Sequence, residues 1–193
     1  MWAYNSIFYQ IYPIGFCGAP VHNDGVCVPR IRKLMDWSEY LQTLGVDSIL
    51  LNPIFESDNH GYDTRDFKTI DCRLGTNEDF KEVCEDLHKH NVKIVLDGVF
   101  NHCGSFNKWL DRECIYENQE GYEKGAYVDY QSPYRSFFKF QDPWQWPYNG
   151  TYNGWWGHDT LPKLNYEESE KLYEYIMRIG EKWVSPPYNV DGW

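Results

Sequence analysis

Three short apolar segments, at residues 7–12, 46–52 and 92–99, recur about 40 residues apart along the chain, and helical patterns fill the intervals. Pro13 closes the first segment and Pro53 the second. Residues 30–44 place Ile31, Leu34, Met35, Leu41 and Leu44 at helical spacing, and Gly45 ends the pattern. Thr76 is a good N-cap; Glu78 and Asp79 follow in the first turn, and Phe80, Val83, Cys84 and Leu87 share one face. Residues 167–184 repeat the helical pattern through Leu172, Tyr175, Ile176, Ile179 and Trp183, and Val190-Asp191-Gly192 reads as the start of a fourth strand. Strand and helix alternating at this interval is the βα repeat. Strands that are apolar almost throughout belong to a parallel sheet covered on both faces.

The interval between 103 and 166 is too long for an ordinary connection and is rich in aromatic and turn residues, so it reads as an inserted subdomain. The expected division is 1–102 for the first three βα units, 103–166 for the insertion, and 167–193 for the third helix and the start of strand 4. Four such units make either half of an eight-stranded barrel or a smaller open α/β sheet. In both, ligands meet the carboxyl ends of the strands, which draws attention to 13–16, 52–63, 97–102 and the stretch from Asp191. No glycine-rich dinucleotide fingerprint or P-loop follows any of the strands.

Composition narrows the partners. The 193 residues carry a formal net charge of −11, which disfavours nucleic acid and is compatible with a neutral ligand. No apolar run is long enough to span a membrane, and the amino-terminal residues lack the pattern of a secretion signal. The six cysteines form no CxxC pair, and several fall inside helix or strand patterns, so free thiols and a cytoplasmic location are expected. The Asn149-Gly150-Thr151 sequon carries little weight without a secretion signal. Aromatic residues reach 18%, and many sit in the polar, turn-rich stretch 144–156, where no packing period accounts for them. Such rings are either core or flat surfaces for the C–H faces of sugars.

Two clusters carry chemistry. Asp97-Gly98-Val99-Phe100-Asn101-His102 ends the third strand, and His60-Gly61-Tyr62-Asp63-Thr64-Arg65-Asp66-Phe67 follows the second. Each has a purely structural alternative: Asp97 as a buried hydrogen-bonded carboxylate with His102 anchoring a loop, and Arg65 tying its loop to neighbouring aspartates. Taken in order, however, the segments resemble the α-amylase family, glycoside hydrolase family 13. Ile7-Phe8-Tyr9-Gln10-Ile11-Tyr12-Pro13 is similar to the opening of its barrels. Residues 57–64 are similar to the loop bearing its sugar-stacking tyrosine. Ile70-Asp71, Leu74-Gly75-Thr76 and Asp79-Phe80 are similar to the approach to its second helix, and residues 95–102 to its first signature region. Leu161-Pro162-Lys163-Leu164-Asn165 is similar to the Met-Pro-Lys-Leu-Asn segment of the neopullulanase, cyclomaltodextrinase and maltogenic-amylase group, and Asp191-Gly192-Trp193 to the entrance of the second signature region.

The resemblance implies an α/β fold: the amino-terminal half, strands 1 to 4, of a (β/α)8 TIM barrel with a subdomain inserted after strand 3. It implies that Tyr62 stacks on the glucosyl ring at the cleavage point and that His102, with His60, donates to that sugar's hydroxyls. Asp97 would orient the arginine and nucleophile of the fourth strand, while Asp63 and Arg65 hold their loop. Asn101 matches a calcium-ligating position of many α-amylases; no cofactor is required, and calcium is left open because one asparagine does not make a site for an ion needing about six to eight oxygens. The implied reaction is retaining hydrolysis of α-1,4 or α-1,6 glucosidic bonds in maltodextrins or cyclodextrins, by two carboxyl groups about 5–5.5 Å apart. The family's nucleophile and acid are expected beyond Trp193, so the chain alone is expected to be an inactive fragment that binds α-glucan oligosaccharides. Open barrel edges would favour self-association. Transfer or isomerisation of glucosyl units, and a non-catalytic α-amylase-like binding subunit, are the alternatives. The presence of Tyr62, Asp97 and His102 weighs against the last.

Overall fold

The computed structural model describes residues 2–141 and 152–193, so the sequon and the first part of the aromatic stretch 144–156 lie outside the described residues. The chain forms two compact units. One comprises Met1–Gly61, Phe67–Gly98 and Ile179–Trp193; the other comprises Tyr62–Asp66 and Val99–Arg178.

The first unit is built on a parallel sheet of β1 (Phe8–Ile11), β2 (Ser48–Leu51) and β5 (Lys93–Leu96), in the order β1-β2-β5. Its register aligns Ile11 with Leu51 and Leu51 with Leu96, so the chain leaves all three strands at the same level. Ile49 and Leu51 on the central strand, and Ile94 and Leu96 beside it, are buried. A fourth strand was expected at 190–192. The chain there makes a single parallel bridge, Gly192 opposite Val95, with Asp191 N–H donating to Ile94 and Leu96 N–H donating to Gly192.

The two helical segments that precede β2 and β5 end in the same way. After α2 (Ser38–Thr43), Val46 N–H donates to Leu41 and Gly45 N–H to Gln42; after α3 (Asn77–Lys89), Val92 N–H donates to Leu87 and Asn91 N–H to His88. This is the Schellman arrangement, with Gly45 (φ 76°) and Asn91 (φ 57°) in the left-handed conformation it needs. Val46 and Val92, the residues just beyond, are both buried and lead directly into the strands. At its other end α3 has a full capping box: Thr76 Oγ1 accepts from Asp79 N–H while the Asp79 carboxylate accepts from Thr76 N–H.

The expected helix over 30–44 divides. Residues Arg30–Trp37 wind as a 3-10 helix, and the α form starts at Ser38. Three residues per turn puts Ile31 and Leu34 directly above one another, and both are fully buried. The first turn is tied to the loop before α3 through Ile31 N–H to Leu74.

Two strands between β2 and α3 were not anticipated. β3 (Phe55–Ser57) pairs with β4 (Thr64–Ile70) in a stretch that reads as loop. Along β4 the buried residues are Thr64, Phe67 and Ile70, three apart, so the two-residue alternation that signals a half-buried strand is missing. Trp183 of α4 (Glu170–Val184) fills the centre of this unit, with Tyr188, Phe55 and Phe80 at ring distances of 4.5, 5.2 and 5.9 Å and its indole N–H on the Phe67 carbonyl.

Among its described residues the second unit has little regular structure: the start of β4, a 3-10 turn at Arg135–Phe137, the hairpin of β6 (Gly154–Trp155) and β7 (His158–Pro162), and the first part of α4. Its core gathers around Trp109, edge-on to Phe137 at 5.3 Å and to Tyr175 at 5.0 Å. Ser169 starts α4, its Oγ accepting from Leu172 N–H. No helix among the described residues is long and apolar enough to cross a membrane.

All six cysteines are free thiols. Burial pushes Cys17 up to about 11 and Cys84 up to about 12, and it raises Cys103 as well. Cys114, although exposed, is raised by partial burial and by Asp111, Glu117 and Glu113. The thiolate is the reactive form. With a disulfide reagent at pH 8, exposed Cys27 is therefore expected to react first and Cys114 more slowly, while Cys17, Cys84 and Cys103 react after denaturation. Mass mapping of the labelled peptides checks this order.

Candidate active site

In the first unit the residues at the carboxyl ends of the strands are held by one buried ion pair. Arg73 and Asp71 have fully buried side chains and meet in two contacts, Nε to Oδ1 at 2.8 Å and Nη2 to Oδ2 at 2.6 Å. The other guanidinium protons reach the carbonyls of Pro20, Val21 and Asn59 and the hydroxyl of Ser57, at 2.7–3.0 Å. Ser57 in turn donates its hydroxyl to Asp71. Planar, always charged arginine is suited to such a node, since its fork supplies five donors in fixed directions. Asn59 precedes His60, which is exposed and accepts the Tyr12 hydroxyl on its carbonyl at 3.3 Å. Asp97 directly follows β5, its N–H donating to the Leu51 carbonyl. Nothing in the sequence pattern singled out Arg73; the available signal was a cation two residues from an acid in an otherwise apolar stretch.

Removing one partner of such a pair strands a buried charge, at a cost of about 3–5 kcal/mol. Arg73→Met is expected to lower stability by this order in urea denaturation. The double change Asp71→Leu with Arg73→Met should recover part of the loss, because it removes the stranded carboxylate but still leaves three carbonyls without their donor.

Tyr62, Asp63, Arg65, Asn101 and His102 all belong to the second unit. His102 is 5% exposed, and its Nε2 lies 3.0 Å from the Tyr62 carbonyl. A carbonyl only accepts, so Nε2 carries the proton and donates. Nδ1 then faces the Asn101 amide nitrogen at 3.5 Å. Both ring nitrogens therefore look toward protein groups, and His102 reaches a sugar hydroxyl only by exchanging one of them. The segment after His102 runs antiparallel to the end of β7, through the bridge of His102 with Lys163 and the bonds Cys103 N–H to Pro162 and Ser105 N–H to Thr160. Asp63 is buried against Gly104, where a Cβ would lie 2.5 Å from the Asp63 carbonyl oxygen, so only glycine admits this approach. The Arg65 guanidinium lies 5.6 Å from the centre of the Phe106 ring. Trp155 stacks on His102 at 5.2 Å and 30°, a contact foreshadowed by the aromatic richness of 144–156 but not by any spacing rule.

Asn101 is exposed and borders a cavity of about 390 Å³ shared with Asn153, Asn165, Tyr166, Glu167, Lys139 and Lys163. Calcium needs about six to eight oxygens, and a neighbouring ammonium group repels it. Two ammonium groups and a single carboxylate do not fit that ion. Among the described residues the one grouping of three acidic, cysteine or histidine ligand atoms is Glu56, Asp71 and Cys72, and Asp71 is already committed to Arg73.

Asp191 had been expected to face the ligand end of the sheet. Its carboxylate instead receives the N–H of Ile94, near the start of β5, at 3.0 Å, together with His88 Nε2 at 2.9 Å and Lys93 Nζ at 3.2 Å. Burial opposes its ionisation, but the Ile94 amide, His88 and Lys93 outweigh that and hold the carboxyl below the usual aspartate value of 3.8. A lowered value stabilises the fold above the ordinary aspartate range, and the contribution is lost as pH falls through the lower folded value. Asp191→Asn is thus expected to cost stability at pH 7 and to flatten the acid limb of a stability–pH curve below about pH 4.

The sequence profile described as alpha amylase, catalytic domain, matches residues 10–193. The chain belongs to the α-amylase family. It is 35% identical to an amylopullulanase of Thermoanaerobacterium saccharolyticum over 193 residues, which cover 93% of this chain and 15% of that protein. It is 32% identical to an oligo-1,6-glucosidase of Heyndrickxia coagulans, over 100% of this chain and 35% of that protein. A debranching enzyme from Nostoc punctiforme superimposes with a TM-score of 0.72 at 30% identity, covering 100% of this chain and 41% of the other. The α-amylase-family chain thus spans well under half the length of these relatives, and its fold is part of a TIM barrel.

Proposed function

We propose that this chain forms the sugar-binding part of an α-glucan hydrolase, acting on α-1,4 or α-1,6 glucosidic bonds of maltodextrins, cyclodextrins or related glucans. The observation that carries the reading is the bond between His102 Nε2 and the Tyr62 carbonyl, which joins two family-matched residues lying 40 positions apart. The names of the relatives, amylopullulanase and oligo-1,6-glucosidase, support the substrate class. In this reading β1, β2, β5 and the Gly192 segment are the first four strand positions of an eight-stranded barrel, and 103–166 is an insertion after the third.

The residues divide the work. Tyr62 offers its ring to the apolar face of a glucosyl unit, and His102 fixes the Tyr62 backbone beneath it, donating to a sugar hydroxyl only when Nε2 changes partner. His60 is a further donor to a glucan hydroxyl. Asp63 and Arg65 hold the loop that carries Tyr62. Asp97, at the end of β5, orients the arginine and the nucleophile of the family's fourth strand. Retaining hydrolysis then requires one carboxylate to attack the anomeric carbon while a carboxylic acid protonates the departing oxygen. No carboxylate among these 193 residues is assigned either part. Lys139 and Lys163 beside Asn101 weigh against a calcium ion at that position. The six free thiols support a reducing compartment.

Isothermal titration tests the reading. The chain is expected to bind maltoheptaose in preference to the β-linked cellohexaose. Tyr62→Ala should weaken that binding about tenfold, the order of one aromatic contact, and Tyr62→Phe should keep it. Equal binding of α- and β-linked chains, or no binding of either, would sink it.

A further inference from the structure

The hairpin β6–β7 carries two exposed tryptophans whose placement the fold does not require. Trp155 and His158 pair across a two-residue turn made by Trp156 and Gly157. Both turn residues have positive φ, 52° and 82°, the signature of the type I′ turn, which favours asparagine, aspartate or glycine. A bulky residue in that conformation is an outlier. Gly154 opposite the turn lets the strands close, since a Cβ there would sit 2.0 Å from the His158 carbonyl oxygen. Trp156 is nevertheless 86% exposed, so its indole is held at a backbone position that disfavours it and fills no core.

The surroundings say what the indole is for. Trp155, 39% exposed, lies beside it at 6.0 Å and rests its ring on His102. The flank of the hairpin borders a cavity of about 430 Å³ lined by Gln141, Tyr152, Asn153, Asp159 and Lys163. The hairpin thus offers exposed indoles and, at Gly154 and Gly157, borders a cavity carrying amide, carboxylate and ammonium groups, the two kinds of surface that suit a ring with apolar C–H faces and a rim of hydroxyls. The mixed charges of that rim favour a neutral ligand over a polyanion.

We propose that Trp156, together with Trp155, is a stacking platform for a glucosyl unit of the α-glucan chain, a subsite additional to the one at Tyr62. The proposal rests on the α-glucan reading above. Its consequence is a dependence of affinity on chain length: an oligosaccharide long enough to reach both rings gains from the platform, and a short one does not.

The test is Trp156→Asn. Asparagine suits the turn, so thermal denaturation should show the variant at least as stable as the original chain, and any loss of binding is then not a loss of fold. By titration, maltoheptaose is expected to bind Trp156→Asn roughly fivefold more weakly, the order of one aromatic contact, with maltose unchanged and Trp156→Phe close to the original. If Trp156→Asn binds maltoheptaose like the original chain while Tyr62→Ala does not, the platform is overturned and the α-glucan reading stands. If the original chain binds no α-glucan, both are overturned. A changed oligomeric state with unchanged glucan affinity also overturns the platform, since it would mark the indoles as a protein contact.

Discussion

An arginine and an aspartate with no solvent exposure govern how the first unit's loops are arranged. Desolvating two charges costs several kcal/mol each, and attraction between them repays this only when the geometry is good and every remaining donor is satisfied. Arg73 meets that condition by bonding Asp71 twice and then reaching Pro20, Val21, Asn59 and Ser57. Pieces of chain at residues 20–21, 57–59 and 71–73 are thereby held to one centre. An apolar side chain at 73 could fill the volume, but it could not hold the carbonyls of residues 20, 21 and 59 in fixed directions. The pair is therefore a device for specifying loops at the sheet's carboxyl end, where rigidity cannot come from a strand ladder.

The sheet sets the stage for this. Because β1, β2 and β5 end in register, the segments that follow them begin from one plane. At the opposite end two Schellman motifs launch the strands, β2 two residues after buried Val46 and β5 one residue after buried Val92. Asp191 adds a lock near the start of β5, with Ile94, His88 and Lys93 converging on one carboxylate. Within the first unit, stability and loop placement thus have separate owners. Asp191, close in sequence to a signature segment, serves the former.

What the sequence discloses follows from which interactions are local. The three main strands and the helix capped by Thr76 were legible because they rest on apolar runs and caps. β3 and β4 were not, since β4 buries every third residue rather than every second. The 3-10 winding of 30–37 was hidden because Ile31 and Leu34, three apart, suit an α-helix equally well. Arg73 was passed over for another reason. Its partners lie 2, 14, 16, 52 and 53 positions away, and no window of sequence holds them together. The engagement of both His102 nitrogens was likewise invisible, because the motif specifies the residue and not its partners.

Backbone strain is distributed unevenly, and the unevenness is informative. In the first unit the non-glycine residues with positive φ are Asn91 and Asn189, the side chain that tolerates this conformation best. Among the described residues of the second unit they are Asp111, Cys114 and Trp156. Asp111 is compensated: it is fully buried, and its carboxylate accepts the N–H groups of Ile115 and Tyr116. Trp156 has no such return, being exposed at the tip of a turn that asparagine or glycine would close more readily. Strain that persists without a structural benefit is the kind found where a side chain is held for a ligand. A unit assembled largely from turns can carry that cost, because a turn residue can be changed without disturbing a sheet register. It is in this unit that Tyr62, His102 and Trp155 also lie. The division of labour is therefore physical: a ladder-built unit supplies stability, and a turn-built one holds the Trp156 indole at a backbone conformation that folding alone would not select.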